Sequence, residues 1–297
     1  MTGRTAPIAL LQFGTSGQLG DALVRVLGED DRFACVALSR ERADFTRPEE
    51  IERAVRDAAR LDLVVNAAAY TAVDKAEEEE PLAYRINAEA VEVLARSCAA
   101  RGVPLIHVST DYVYDGAKSA PYREDDATAP LNAYGRTKLA GEEMIRRHLP
   151  AHVILRTSWI YSGHGRNFLK TMLRLGRERD EVRVVADQHG APTSAMSLAM
   201  AIRAIARELA ASPSFGTFHY ADGGETSWCG FAEEIFRQAG LRARAVPIAT
   251  ADYPTPARRP ANSRLDTAKI SQTFGVRPPA WQSSLAAVLA GMKETGK

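Results

Sequence analysis

The sequence predicts an α/β fold: a Rossmann-like doubly wound parallel sheet with a smaller, discontinuous C-terminal lobe. Three observations carry this. Short apolar runs alternate with stretches of helical periodicity through the first half of the 297 residues. The first run ends in a glycine loop, Gly14, Gly17 and Gly20, that opens directly into a helical pattern. Beyond about residue 160 the alternation loosens into segments that return to it only in part. Repeated strand-helix units give a parallel sheet covered on both faces, with ligands bound at the carboxyl ends of its strands.

The elements follow in order. Ile8 to Phe13 reads as a buried strand, and Leu19 to Leu27 as a helix with apolar residues at helical spacing. Phe33 to Leu38 is a second strand, Pro48 to Arg60 a helix and Leu61 to Val65 a third strand. Pro81 to Arg101 reads as one helix, with Val91, Leu94, Ala95 and Cys98 on one side, before the strand Pro104 to Val108. A helix over residues 133 to 147 and a strand from Val153 to Leu155 complete residues 1–160, the expected nucleotide domain. In residues 161–297, mainly a second lobe, Asn167 to Glu178 reads as a helix and Val182 to Val185 as a short strand. Ser197 to Ala211 is an alanine-rich helix, Gly216 to Tyr220 returns to the sheet, and Ser227 caps a helix to Ala239. Residues near 194–225 thus rejoin the first domain. Pro247 to Pro260 holds four prolines in 14 residues, which opposes regular structure. The acidic run Glu77 to Glu80 reads as a solvated helix start.

Composition narrows the partner. Thirty-eight Lys and Arg against 37 Asp and Glu leave a net charge of +1, with no footprint for nucleic acid, so a small molecule is expected. Cys35, Cys98 and Cys229 are odd in number and far apart, which suits small core residues in a reducing compartment. Near Arg4 the apolar run Ile8 to Leu11 is too short for a signal peptide or a membrane span, and the expectation is a soluble cytoplasmic protein. The six histidines lack zinc spacing, no metal site is expected, and each histidine reads as structural.

Gly14-Thr15-Ser16-Gly17-Gln18-Leu19-Gly20 departs by one residue from the dinucleotide spacing G-x-G-x-x-G, but its physics is the same. Glycines let the backbone turn sharply and approach a diphosphate, whose charge the unpaired N–H groups of the next helix favour. NAD sites place an acidic residue at the end of the second strand to hold the ribose hydroxyls. Here that place reads Ser39-Arg40, which suits a 2′-phosphate, so NADPH is expected over NADH, with NADH still possible. Asp44-Phe45 stands where a carboxylate and a ring would hold the adenine. Asn66-Ala67-Ala68-Ala69 and then Tyr70 end the third strand mostly in small residues that let a cofactor lie close.

Ser109-Thr110-Asp111 ends the strand Pro104 to Val108 at the same sheet edge, and Tyr134-Gly135-Arg136-Thr137-Lys138 follows. A phenol has an ordinary pKa of about 10, so a catalytic tyrosine needs help from a positive charge, and Lys138, one helical turn away, supplies it. Glycine loop, Asn-Ala-Ala, Ser-Thr-Asp and Tyr-x-x-x-Lys in this order resemble the extended short-chain dehydrogenases/reductases, which act largely on nucleotide sugars. Within them, Asn66 to Glu77, Ser109 to Gly116, Arg156 to Trp159, Asn167 to Arg174, Asp187 to Thr193 and Arg259 to Leu265 resemble the dTDP-4-dehydrorhamnose reductases over nearly the whole chain. The resemblance implies reduction of a sugar C4 ketone, with Tyr134 as proton donor, Thr110 on the same oxygen and Lys138 on the nicotinamide ribose. It also implies Asp111 on a sugar hydroxyl, Trp159 against the sugar, Asn167, Phe168, Gln188 and Thr193 along the thymidine diphosphate, and Asn262 and Arg264 near its phosphates. Tyr112 stands where the related 4,6-dehydratases carry a glutamate, which favours plain reduction over elimination. Two alternatives stay open: a non-catalytic nucleotide-binding subunit like the methionine adenosyltransferase β subunit, and reduction of another dTDP-4-keto-deoxysugar. A homodimer is a further possibility.

Overall fold

The computed structural model describes residues 6–294; Arg4 lies outside them. The first half runs β1 (Ile8–Phe13), α1 (Gln18–Gly28), β2 (Phe33–Leu38), α2 (Pro48–Arg56), β3 (Leu63–Asn66), α3 (Val73–Ala76) and α4 (Glu80–Tyr84). A π-helical turn (Arg85–Glu89) leads into α5 (Ala90–Arg101), then β4 (Leu105–Thr110), a 3₁₀ turn (Asp111–Val113), α6 (Ala133–His148) and β5 (His152–Thr157). The second half runs β6 (Ile160–Tyr161), α7 (Phe168–Glu178), β7 (Glu181–Val185), β8 (His189–Gly190), β9 (Thr193–Ser194), α8 (Ala195–Ala211) and β10 (Gly216–His219). It ends with β11 (Thr226–Ser227), α9 (Trp228–Ala239), β12 (Arg244–Ile248), a 3₁₀ turn (Thr250–Asp252), α10 (Ala268–Phe274) and α11 (Trp281–Glu294).

Six strands form one parallel sheet in the order β10-β5-β4-β3-β1-β2. The chain leaves β1 toward β2 on one side and returns to β3 on the other, so the crevice that receives a ligand opens at the carboxyl ends of β1 and β3. One face of the sheet packs Leu10, Val65, Ile106 and Leu155 against α1, α8 and α10, through residues such as Leu23, Ile202 and Phe274. The other packs Leu11, Val64, Leu105 and Ile154 against Ile51, Val91, Leu94 and Ile145 of α2, α5 and α6. A separate core gathers Tyr161, Leu169, Leu173, Phe231, Ile235, Trp281 and Leu285 from β6, α7, α9 and α11. Thus α8, β10 and α10 join the sheet layer, while α9 and α11 build the second core.

Several elements depart from the sequence expectation, each for a visible reason. The helix from Pro48 stops at Arg56 because the Arg101 guanidinium takes the carbonyls of Val55, Arg56 and Ala58, capping the chain where it turns away. The helix expected from Pro81 to Arg101 is interrupted by the π turn. There Asn87 turns its amide inward, accepting from Tyr70 N and donating to Tyr70 O and Thr137 Oγ1. Pro247 lies inside β12, against the expectation of irregular chain; among the described residues β12 pairs with β7 alone, and an edge strand tolerates a missing N–H. Cys35 is half-buried on β2, whereas Cys98 and Cys229 are core residues. Among the described residues no helix is long and apolar enough to cross a membrane, and no group of three His, Cys, Asp or Glu is placed to hold a metal.

Candidate functional site

The crevice begins with the backbone after β1. Gly14 has φ +84°, and a Cβ there would stand 2.8 Å from Ala68 N, so β1 and β3 approach closely only because this residue is glycine. A Cβ on Gly20 would meet Gly14 O at 2.4 Å. Gln12, buried on β1, staples the loop by donating to Gly14 O at 2.8 Å and Gly20 O at 3.0 Å. Gly17 differs: a Cβ there would meet nothing within 4 Å, and as N-cap of α1 it offers no side-chain acceptor to the first N–H groups. Open space above unpaired donors at a helix N-terminus fits a dinucleotide's diphosphate.

That space belongs to a cleft of about 610 Å3 lined by Gly17, Gln18, Leu19 and Gly20, by Ala67 and Ala69, and by Thr110, Asp111, Tyr134 and Lys138. Its far side is Trp159, Asn167, Phe168 and Trp228. A second, more apolar groove of about 380 Å3, between α1, α8 and α11, contains none of the Thr-Tyr-Lys set.

Tyr134 and Lys138 sit in the first turns of α6, whose start is fixed from three directions. Asn132 caps it by accepting from Gly135 N at 2.8 Å, Glu77 accepts from Ala133 N, and Glu80 forms a two-point ion pair with Arg136. The acidic run is therefore no mere solvated helix start: Glu77 and Glu80 brace α6, and Glu79 accepts from the Tyr70 hydroxyl.

Thr110 accepts from Tyr112 N and donates to Asp111 Oδ1, both at 3.1 Å. Burial holds the Tyr134 phenol above its ordinary pKa; a hydrogen bond from the Thr110 side draws it down and the Asp111 charge pushes it up. The expected downward pull by Lys138 is not the governing influence here. Burial also brings Lys138 down to about 8, opposed by the charge of Glu142. Asp111 is pushed up to about 6 by burial, against hydrogen bonds to Ser263 and Thr110, and its Oδ2 is a buried oxygen with no partner among the described residues. An orphan acceptor on the wall of a cleft fits a hydroxyl-bearing ligand.

Trp159 has φ +48°, the one non-glycine in the left-handed region among the described residues. Its ring stacks on Trp228 at 3.6 Å and fills the space a Cβ on Gly190 would need. Strain of this kind persists where surroundings over-determine it, and here it holds an indole on the cleft wall. Asn167 caps α7 by accepting from Lys170 N and donates to Gln18 Oε1 at 2.7 Å, tying the second core to the glycine loop.

Other expected residues lie elsewhere. Phe45 is buried with its ring edge-on to Phe13 and packs with the core. Asp44 is occupied by Thr46 N and Arg40, while Ser39 and the exposed Arg40 end β2 outside the cleft lining. Ala68 gives its N–H to Asn66, and Tyr70 is held by Asn87 and Glu79. Gln188 donates to Thr250, Thr193 to Ala191 O, and Asn262 to Lys118 O and Ala120 O; Arg264 pairs with Glu225 and Ser119 O. None of these four lines the cleft. Sequence reasoning missed Trp228, Arg166 and the Asp74–Arg259 pair, which do line it, and Gln12 beneath the loop. Trp228 directly follows the cap Ser227, and that was its only signal.

A family model described as "RmlD substrate binding domain" matches residues 8–294. The chain belongs to this family. Among its relatives, a Sinorhizobium fredii protein named dTDP-4-dehydrorhamnose reductase is 45% identical over 291 residues, covering 96% of this chain and 97% of that one. An Escherichia coli protein of the same name is 44% identical, covering 94% and 96%. Among solved structures, a dTDP-4-dehydrorhamnose reductase from Clostridium acetobutylicum superposes with TM-score 0.91 at 36% identity, over 96% of this chain and 100% of that one. One from Bacillus anthracis, in complex with NADP, gives 0.90 at 33%, over 96% and 99%. A UDP-glucose 4-epimerase from Brucella ovis, at 19% identity and TM-score 0.80, shares the fold. In this member of the RmlD family, Thr110, Tyr134 and Lys138 line one cleft at the sheet's switch point.

Proposed function

We propose that this protein reduces the C4 ketone of dTDP-4-dehydro-L-rhamnose to dTDP-L-rhamnose with NADPH. The single observation that carries the reading is the convergence of Thr110, Tyr134 and Lys138 on one cleft floored by the open N-terminus of α1. A nicotinamide cofactor bound there supplies the hydride. Tyr134 supplies the proton: with its pKa held up by burial, the phenol keeps its hydrogen through neutral pH, as an acid for a developing alkoxide must. Thr110, bonded beside it, steadies the same substrate oxygen, and Lys138 reaches toward the cofactor ribose. Asp111, with one oxygen unpartnered, takes a sugar hydroxyl. The stacked Trp159 and Trp228 with Phe168 form an apolar wall that excludes water from the transfer.

The sheet layer holds the cofactor and the second core contributes the sugar side. Arg40, exposed just after β2 and paired with Asp44 among the described residues, can swing to a 2′-phosphate, which supports NADPH over NADH. The purified protein with NADPH and dTDP-4-dehydro-L-rhamnose is expected to consume absorbance at the cofactor's reduced band and to yield dTDP-L-rhamnose. Cofactor binding without turnover on this sugar, but with turnover on another dTDP-4-keto sugar, reassigns the substrate. Binding with no turnover on any, together with recovery of a stoichiometric protein partner, removes the enzymatic reading.

A further inference from the structure

Lys138 is held chiefly by β4. Its Nζ donates to Val108 O at 2.8 Å and lies 3.1 Å from Nε2 of His107. His107 is fully buried, and its other ring nitrogen, Nδ1, lies 3.0 Å from Nδ2 of Asn66. The orientation of that amide is settled by a neighbour. Asn66 Oδ1 accepts the backbone N–H of Ala68 at 3.0 Å, and a backbone N–H only donates. The amide nitrogen therefore faces the imidazole, Asn66 donates, and Nδ1 accepts.

A neutral imidazole that accepts at Nδ1 carries its proton at Nε2. Neutrality follows from burial first, then from the charges of Lys138 and His152, which together hold His107 well below its ordinary pKa. An N–H is thus aimed at the lysine nitrogen. An ammonium group has three donors and no acceptor, whereas the free amine has a lone pair that can take that N–H.

We propose that His107 is a positioning residue for Lys138: fixed by Asn66 as the Nε2–H tautomer, it aims its ring N–H at the lysine nitrogen and donates to the lysine's amine form. Burial favours the same amine form, and the other polar groups around the pair offer no donor to it. Glu142, on Lys138's own helix, favours the charged lysine, and it is already engaged by Arg156, Arg146 and Ser109. His152 on β5 bonds Leu149 O. Asp111, Tyr112 and Tyr134 share the cleft, Asp74 and Arg259 neutralise each other on its wall, and the π turn presents the uncharged Asn87. The inference rests on the reading of Lys138 as part of the reducing site, because only there does its titration govern activity.

The test uses the full chain with 15N-histidine and 13C-lysine labels. His107 is expected to resonate as the Nε2–H tautomer, and the Lys138 side chain to titrate clearly below a free lysine. In His107→Phe the Lys138 titration is expected to rise by about one unit or more. Asn66→Asp, whose carboxylate would accept from Nδ1 and turn the ring proton away from the lysine, is expected to raise it too. Lys138 titrating as in wild type in a folded His107→Phe overturns the proposal, as does His107 protonated at Nδ1 in the wild type. The tautomer is read on the unaltered protein, so the test stands even if a variant fails to fold. These spectra need no substrate, so failure of the proposed reduction and failure of this inference are separately visible. With turnover, the alkaline limb of kcat/KM should move up in both variants while the acid limb stays.

Discussion

At the scale of single residues, Tyr134 has the most exposed assignment. If it is the proton donor, Tyr134→Phe removes one oxygen at the cleft floor and leaves the glycine loop, Lys138 and the aromatic wall in place. Turnover is expected to fall by roughly 10²- to 10⁴-fold with cofactor affinity unchanged, measured by steady-state kinetics and by fluorescence titration of NADPH. Turnover within a few-fold of wild type would remove Tyr134 from the chemistry. Residue identities along the chain were legible where backbone geometry demands them, as at Gly14 and Gly20, whose added Cβ atoms would strike Ala68 and Gly14. They were less legible where a side chain has two plausible directions. Phe45 reads from the sequence as a ring for the adenine, and its packing edge-on against Phe13 is not announced by any local pattern. Nothing in the local sequence tells that Asn262 spends its amide on Lys118 O and Ala120 O, 144 and 142 residues away.

At the scale of elements, α6 matters most, because its first turns carry Tyr134 and Lys138. Gly141, two turns on, lets α6 lie against the π turn: a Cβ there would be 2.0 Å from Asn87 O. That carbonyl belongs to backbone, which has little freedom to retreat. Gly141→Ala is therefore expected to push α6 outward, lowering stability by about 1–3 kcal/mol in urea unfolding despite alanine's better helix propensity. A gain in stability, which propensity alone predicts, would show that the contact yields freely. The π turn also marks the limit of periodicity as a guide. The apolar residues Val91, Leu94, Ala95 and Cys98 foretold α5, yet the break before it depends on Asn87 finding Tyr70 and Thr137. Strand existence survived because buried parallel strands are short apolar runs; the two-residue strands β6, β8, β9 and β11 are too brief to carry any pattern.

At the scale of the whole molecule, one buried polar network joins the sheet to α6 and to the loop after β4. Glu142 of α6 takes the Arg156 guanidinium of β5 through Nε at 2.9 Å and Nη2 at 2.6 Å, and accepts from Ser109 Oγ of β4. Arg156 Nη1 donates to Tyr114 Oη, which lies 2.9 Å from His219 Nε2 of β10. No sequence pattern announces this network, since its members come from five separate segments. Burial alone would raise the Glu142 pKa, but Arg156, Arg146 and Ser109 outweigh it and leave it below the ordinary 4.5. A carboxylate whose folded pKa is depressed adds stability that is complete above the unfolded value and disappears as pH falls through the folded one. Glu142→Gln leaves Arg156 buried without its counter-charge, and is expected to cost about 3–5 kcal/mol at pH 7. Below pH 4.5 the wild type progressively loses the same pair, so the gap between the two proteins should narrow as urea unfolding is repeated toward pH 3. A gap that stays constant from pH 7 to pH 3 would mean that Glu142 contributes through shape and hydrogen bonding, with its charge irrelevant to the fold.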